Sequence, residues 1–160
     1  MPAANVDQEK ARLIEVLDAT RQEMLAVLQG VSSDLVVHPK TNWRMRDILA
    51  HLTAWEQEAV TSLVAYQNGE TYVITGFSND DEYNWQAYLK WFDIPFEQLY
   101  AEWTAVRERL KTALSATTPE KFPGDMVHPW WSPGTVIDLI LSMESHEREH
   151  MEEIRRAVQS

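Results

Sequence analysis

Four long stretches of this 160-residue chain carry apolar residues at the three-to-four-residue spacing of an amphipathic helix, and this periodicity constrains the fold most. The first stretch covers residues 7–28 and ends before Gly30, a residue typical of helix C-termini. The second covers residues 45–66 and ends at Asn68-Gly69, and the third covers residues 95–116. The fourth is marked by Val136, Ile137, Leu139, Ile140, Met143, Ile154 and Val158.

Glycines, prolines and capping residues indicate the structure of the connecting segments. Residues 70–79 include a short β-like piece, but Gly69 before this segment and Gly76 within it favour a long crossover loop over a strand. Ser78 or Asn79 can cap a short extra helix that must end before Pro95, and Ser132-Pro133 predicts the start of the last long helix. The sequence therefore predicts an all-α four-helix bundle, one domain over residues 1–160, with this crossover and short helix between the second and third long helices.

Composition excludes several classes of function. The chain has no cysteine, so disulfides and thiolate metal ligands are excluded and any metal must rest on histidine and carboxylate. The formal net charge is −11, which disfavours a phosphate backbone or an anionic membrane surface and leads us to expect no nucleic-acid partner and no membrane partner. No signal-like or membrane-spanning apolar run is seen, so we expect a cytoplasmic protein.

Three histidines form the candidate metal site. His146 and His150 are four residues apart on one predicted helix, so both imidazoles can reach one ion at about 2.0–2.1 Å. His51 lies in the inward-looking stripe of the second helix and is the natural third ligand. Three histidine ligands leave a coordination position open for water or substrate.

Spacing alone leaves other interpretations open. His146 and His150 could belong to a solvated face, and His51 could be an ordinary core histidine. The segment His146–His150 also fits both H-E-x-x-H and H-x-x-E-H, but only ten residues follow it, too few for the usual third ligand of a metallopeptidase. His38 and His128 lie in connectors beside prolines and are assigned no role.

Two segments resemble signatures of the DinB-like (DinB/YfiT) superfamily. Residues 43–56, Trp-Arg-Met-Arg-Asp-Ile-Leu-Ala-His-Leu-Thr-Ala-Trp-Glu, resemble its second-helix signature, and residues 145–154, Ser-His-Glu-Arg-Glu-His-Met-Glu-Glu-Ile, resemble its fourth-helix signature. The resemblance spans residues 7–158. The first half, with Asn84, is also similar to ClbS-like proteins that protect against a genotoxin but lack the fourth-helix histidine pair.

The resemblance implies a four-helix bundle, often a homodimer, with His51, His146 and His150 as ligands of one divalent ion, nickel or zinc. Relatives include transferases and isomerases that use a low-molecular-weight thiol, bacillithiol or mycothiol. Fold does not transfer an activity, so two hypotheses stand. One is a metal-dependent hydrolase or thiol transferase acting on a small molecule; the other is a binding or protective protein whose metal is structural or absent.

Further residues are candidates for supporting roles. Helical geometry places Asp47 and Glu58 near the angular position of His51, and Glu153 one turn beyond His150, where each could orient an imidazole. Surface charge is the alternative for all three, and for Asp47 a favourable helix-dipole position as well. The chain has seven tryptophans, and we expect Trp130 or Trp131, with Tyr83, to cap an apolar pocket over the metal.

Overall fold

The computed structural model describes residues 3–160 and is mostly helical in that range. Four of its helices are long, as the periodicity predicts, and a fifth is short. The first long helix begins at Ala3, four residues earlier than predicted. In chain order the elements are α1 (Ala3–Leu28), β1 (Val36–His38), β2 (Trp43–Arg44), α2 (Met45–Gln67), α3 (Asp80–Trp91), α4 (Phe96–Ala116), β3 (Asp125–Val127), β4 (Pro133–Thr135) and α5 (Val136–Gln159).

The four long helices pack in the cyclic order α1, α5, α2, α4. The neighbours of α1 in this ring are α5 and α4, whereas α2, the next long helix along the chain, lies diagonally opposite. The short helix α3 packs on α2. This arrangement confirms the predicted bundle and makes α2 and α5, the two histidine-bearing helices, direct neighbours. No helix within residues 3–160 combines the length and apolar character needed to cross a lipid bilayer.

Two small antiparallel hairpins precede α2 and α5, and the sequence pattern did not predict them. In the first, Val36 pairs with Arg44 and His38 with Trp43; in the second, Met126 pairs with Gly134. Each hairpin runs directly into its helix, so it fixes where that helix begins.

The predicted start of α5 at Ser132-Pro133 is wrong, because Pro133 belongs to β4. The cap is Thr135, whose hydroxyl accepts a hydrogen bond from the Asp138 amide at 3.2 Å while the Asp138 carboxylate accepts one from the Thr135 amide at 2.8 Å. In α2 the Asp47 carboxylate accepts a bond from the Arg44 amide at 2.9 Å. Asp47 thus serves the helix start, as its position in the first turn allows.

The core consists of two apolar clusters at opposite ends of the bundle. The first includes Leu13, Leu17, Ala59, Leu63, Val106, Leu110, Leu139, Ile140 and Met143. The second includes Met24, Ile48, Leu49, Leu52, Leu99, Trp103, Met151 and Ile154. Each long helix contributes residues to both clusters. Near the change from one set of apolar residues to the other lies one buried charged residue on each helix, and these four residues are Arg21, Glu56, Arg107 and Glu147.

These four residues form a closed ion cluster, with one member from each long helix. The Glu147 carboxylate accepts hydrogen bonds from Arg21 at 2.8 Å and Arg107 at 2.6 Å, and Glu56 contacts the same two guanidinium groups. The four side chains are 1–9% exposed. The remaining donors are also used, since Arg21 donates to the Trp103 carbonyl at 3.0 Å and Arg107 to the Leu17 carbonyl at 2.9 Å. Two positive and two negative charges thus satisfy one another inside the core.

Removal of one charge from this cluster will destabilise the protein strongly. In Glu147→Gln both arginines lose an anionic partner while remaining buried, so we expect a loss of about 3–5 kcal/mol in the free energy of unfolding. Urea or guanidinium unfolding at neutral pH measures it. The matched control is Glu149→Gln, an exposed carboxylate two residues away on α5, which should change stability by less than about 0.5 kcal/mol. Equal stability of the two variants would contradict a structural role for the cluster.

Candidate metal centre

The packing of α2 against α5 brings the three predicted histidines together. The Nε2 atom of His146 lies 2.9 Å from Nε2 of His51 and 3.1 Å from Nε2 of His150. Each pair of ring centroids is 4.8 Å apart, and the rings are inclined to one another by 71–81°. The three imidazoles therefore surround one point with near-threefold regularity.

This arrangement fits a transition-metal ion. Two ligand nitrogens at about 2.0–2.1 Å from one ion lie about 2.9 Å apart at a right angle and about 3.3 Å apart at the tetrahedral angle. The observed separations of 2.9 and 3.1 Å fall in that interval. The three rings also form a geometrically sound group of potential ligands, with one ligand atom from each. Nitrogen donors of this kind suit zinc, nickel, copper and iron.

The electrostatics of the cluster favour neutral imidazoles, the form that binds metal. Burial, followed by the proximity of His146 and His150, lowers the pKa of His51 to about 2. Burial and the neighbouring His150 lower the pKa of His146 to about 4. At neutral pH both rings are uncharged, and their Nε2 atoms can offer lone pairs.

Glu153 lies where it can orient one of the histidines. Its Oε2 atom is 2.6 Å from Nδ1 of His150 and 2.9 Å from Nε2 of His38. Burial opposes ionisation of this carboxyl, but hydrogen bonds and charge from His150 and His38 hold its pKa below the ordinary value. An ionised Glu153 keeps the proton of His150 on Nδ1 and leaves Nε2 free to face the other two rings.

His38, to which the sequence pattern assigned no role, lies beside the histidine cluster. It lies on β1, and together with Glu153 and His150 it forms a second group of potential ligands beside the first. Its ring also stacks on Trp43, with centroids 6.2 Å apart. Helical periodicity could not have placed it, because its position depends on the β1–β2 hairpin.

Glu58 contacts tyrosines. Its two carboxylate oxygens accept hydrogen bonds from the hydroxyl groups of Tyr72 at 2.6 Å and Tyr83 at 2.9 Å. Burial and the Glu58 carboxylate raise the pKa of Tyr72 to about 12, and they raise the pKa of Tyr83 still further. Glu58 therefore connects α2 to the crossover loop and to α3. This role differs from the one considered from the sequence, in which Glu58 would orient the His51 ring.

Aromatic side chains wall the histidine cluster. The His51 ring lies 5.6 Å from Trp43 and 6.4 Å from Trp55. The predicted pocket residues lie beyond this wall, since Trp55 packs 4.7 Å from Tyr83 and 6.4 Å from Trp130. These residues and Trp131 line a cleft that shares Trp55 with the metal centre.

His128, the other histidine that was assigned no role, is buried and packs 5.2 Å from Trp130. Its Nε2 atom lies 3.0 Å from the Thr135 carbonyl oxygen. Gly134 lies so close to the His128 ring that a Cβ at this position would clash with the imidazole. His128 therefore supports the β3–β4 hairpin.

The two peptidase motifs do not match the side-chain positions. Glu147, which would be the general base of H-E-x-x-H, is buried in the ion cluster, and both of its oxygens bind arginine. Glu149, the glutamate of H-x-x-E-H, is exposed on α5. Neither carboxylate hydrogen-bonds to the histidine rings, so the geometry gives no support to peptidase chemistry.

Taken together, the chain is a four-helix-bundle protein with a candidate three-histidine metal centre between its second and last long helices. Its sequence matches the family model of the DinB superfamily over residues 16–154, and the chain belongs to that superfamily. The resemblance noted from residues 43–56 and 145–154 is thereby confirmed. No curated protein of similar sequence was found.

The solved structures that share the fold include the following three proteins. An uncharacterised protein from Escherichia coli UTI89 superposes with a TM-score of 0.75 at 16% identity, covering 94% of this chain and 92% of that one. ClbS, a colibactin self-resistance protein in complex with double-stranded DNA, gives 0.74 at 15%, covering 92% and 93%. YfiT from Bacillus subtilis, described as a probable metal-dependent hydrolase with an unusual four-helix bundle topology, gives 0.74 at 17%, covering 95% and 87%.

The ClbS complex corrects one expectation. We expected no nucleic-acid partner because of the net charge of −11, but a protein with this fold has been captured on duplex DNA, so that exclusion is wrong. Net charge sums over the whole surface and does not describe any one face of it.

The metal-free protein should lose stability as the pH falls below about 6.5. The pKa values of His51 and His146 are lower in the folded state than in the unfolded chain, so the unfolded chain binds more protons over this range. We expect a loss of about 2–4 kcal/mol between pH 7 and pH 5, measured by urea unfolding in the presence of a chelator.

The control for this pH effect is His146→Gln, which removes one of the two shifted groups. Its pH dependence between 7 and 5 should be about half that of the unchanged protein. A stability that stays flat over this interval in both proteins would show that the imidazoles are not held neutral by the fold.

Proposed function

We propose that this protein binds one divalent metal ion, nickel or zinc, through His51, His146 and His150, and uses it to act on a small molecule. The observation that carries the proposal is the convergence of the three rings, with centroids 4.8 Å apart in every pair. Membership of the DinB superfamily and the fold shared with YfiT, the probable metal-dependent hydrolase, support it.

A divalent ion held there would supply Lewis acidity and an open coordination position for a water, a thiol or a substrate oxygen. The chain itself supplies orientation and shielding. Glu153 holds His150 in one tautomer, and Trp43 and Trp55 cover the His51 ring. Hydrolysis and transfer of a low-molecular-weight thiol are the two reactions that this arrangement suits.

Metal retention tests the centre directly. Protein purified without a histidine tag, incubated with one equivalent of nickel or zinc and then desalted should retain about one ion per chain. His146→Ala should weaken binding by at least about a hundredfold, because loss of a ligand costs more than loss of an outer partner. His128→Gln, which alters a histidine outside the cluster, should retain the ion as the unchanged protein does. Elemental analysis that finds no ion on the unchanged protein overturns the proposal.

Glu153 should tune this affinity without being a ligand. Glu153→Ala removes the carboxylate 2.6 Å from His150 Nδ1, so metal affinity should fall by about ten- to a hundredfold. Glu152→Ala, the neighbouring half-exposed carboxylate that pairs with Arg155, is the matched control and should leave the affinity unchanged. Competition with a chelator of known affinity measures both. Identical metal affinities in the two variants would show that Glu153 is only a surface charge and does not orient His150.

The two types of reaction can be distinguished by whether they require a thiol co-substrate. A thiol transferase should consume an electrophile only when bacillithiol or mycothiol is present, whereas a hydrolase should turn over ester or amide substrates without either thiol. Both activities should follow metal content across preparations.

The second candidate function is a binding or protective role like that of ClbS, with a structural metal or none. The cleft lined by Trp55, Tyr83, Trp130 and Trp131 favours it, because it offers a ligand aromatic surface whether or not an ion is bound. Metal-free protein that binds small aromatic ligands or duplex DNA, with no turnover after metal loading, would support this role.

We also propose that the chain is a single domain that forms a homodimer and acts in the cytoplasm. The absence of cysteine is consistent with a reducing compartment. Light scattering coupled to size exclusion measures the oligomeric state.

A further inference from the structure

The cleft beyond Trp55 is an aromatic cage. Its aromatic lining consists of Trp55, Phe77, Tyr83, Trp130 and Trp131, and its volume is about 250 Å³. Ring centroids are 4.7 Å apart for Trp55 and Tyr83 and 5.2 Å apart for Phe77 and Tyr83, with the planes inclined by 58° and 85°. These rings pack on one another, and all five aromatic residues border the same cleft.

The charge around the cage has one sign. Among the residues described as lining it, Asp80 is the only one with a charged side chain, and no lysine or arginine takes part. A second carboxylate stands behind the cage, since Glu58 accepts the Tyr83 hydroxyl proton in a hydrogen bond at 2.9 Å. Aromatic faces and carboxylates both attract cations, and the chain as a whole carries a net charge of −11.

The start of α3 also borders the cage, and a helix N-terminus by itself would attract an anion. Here one of these donors is already engaged, since the Glu82 amide donates to the Asn79 side chain at 2.9 Å, and the Glu82 carboxylate accepts a hydrogen bond from the Ser78 amide at 2.7 Å. Asp80, Asp81 and Glu82 fill the first turn with negative charge. An anionic ligand would meet these carboxylates, so the cage favours a cation.

Long-range contacts hold the outer wall in place. Trp131 has a left-handed backbone, with φ of 68°, and its indole donates to the Ile74 carbonyl at 2.9 Å. The Ile74 amide in turn donates to the Pro129 carbonyl at 2.8 Å. A bulky residue adopts this backbone conformation only where its surroundings impose it, so the crossover loop and the β3–β4 hairpin fix each other across the cage.

We propose that this cage binds an organic cation, an alkylammonium group of the kind found in choline. The cage is a binding site separate from the three histidines, because Trp55 lies between its lining and His51. Binding of the cation needs only the aromatic rings and Asp80, so it can be tested without metal.

The probes are choline and its neutral isostere 3,3-dimethyl-1-butanol, which differ in a single central atom, nitrogen or carbon. Metal-free full-length protein is titrated with each at constant ionic strength, and dissociation constants are measured by saturation-transfer NMR. We expect choline to bind at least about tenfold more tightly than the alcohol, since cation–π attraction is absent for the neutral probe. Equal binding of the two probes overturns the proposal.

Variants locate the site. Trp131→Ala and Phe77→Ala alter exposed cage residues and should each weaken choline binding by about three- to tenfold, whereas Trp131→Phe, which keeps a π face, should retain most of it. Asp80→Asn should weaken choline binding and leave alcohol binding unchanged. The control is Trp85→Ala, an exposed tryptophan of α3 outside the cage, with choline affinity within about twofold of the unchanged protein.

Circular dichroism verifies that each variant is folded. Losses of equal size in Trp131→Ala and Trp85→Ala would overturn the cage as the binding site. Metal retention, measured on the same preparations, separates the two proposals. Choline binding without metal retention would leave the cage standing and remove the metal centre, and the reverse result would remove the cage alone.

Discussion

The buried cluster of two arginines and two glutamates is the constraint on which the rest of the structure depends. It takes one residue from each long helix: Arg21, Glu56, Arg107 and Glu147. Apolar packing tolerates changes that conserve its volume at modest cost, but a charge that loses its partner inside the core costs several kcal/mol. The cluster therefore fixes the height of all four helices relative to one another, between the two apolar clusters.

The metal centre follows from that alignment. Glu147 lies next to His146 in the chain, and Glu56 lies five residues after His51 on the neighbouring helix α2. When both glutamates bind the same arginines, His51 must face the pair on α5, and the three rings meet with centroids 4.8 Å apart. The residues of the H-E-x-x-H pattern thus lie on two different faces of α5. His146 and His150 face α2, whereas Glu147 points into the core.

The crossover and the hairpins build the surroundings of this centre. The β1–β2 hairpin places Trp43 beside His51 and His38 beside Glu153. The β3–β4 hairpin and the crossover loop meet at Trp131 and Ile74 to close the aromatic cage. These segments contain little regular structure, yet they decide what can approach the histidines, as is common where a rigid scaffold carries functional loops.

Periodicity, glycines and prolines were enough to predict the four long helices, the short α3 and the crossover, because each rests on local spacing along the chain. Spacing also placed His146 and His150 on one helix face and His51 on an inward-looking stripe, but it left their convergence open, and only the family resemblance implied a shared ion. The start of α5, the hairpins and His38 could not be predicted, since each depends on pairing between segments that the pattern does not connect. The buried ion cluster was hidden for the same reason: Arg21, Glu56, Arg107 and Glu147 look like surface charges in any single helix. The sequence by itself determined which helices form and which faces carry histidine, whereas tertiary structure alone decided the helix order, the charge pairing in the core and the walls of the cleft, because these are contacts between residues far apart in the chain.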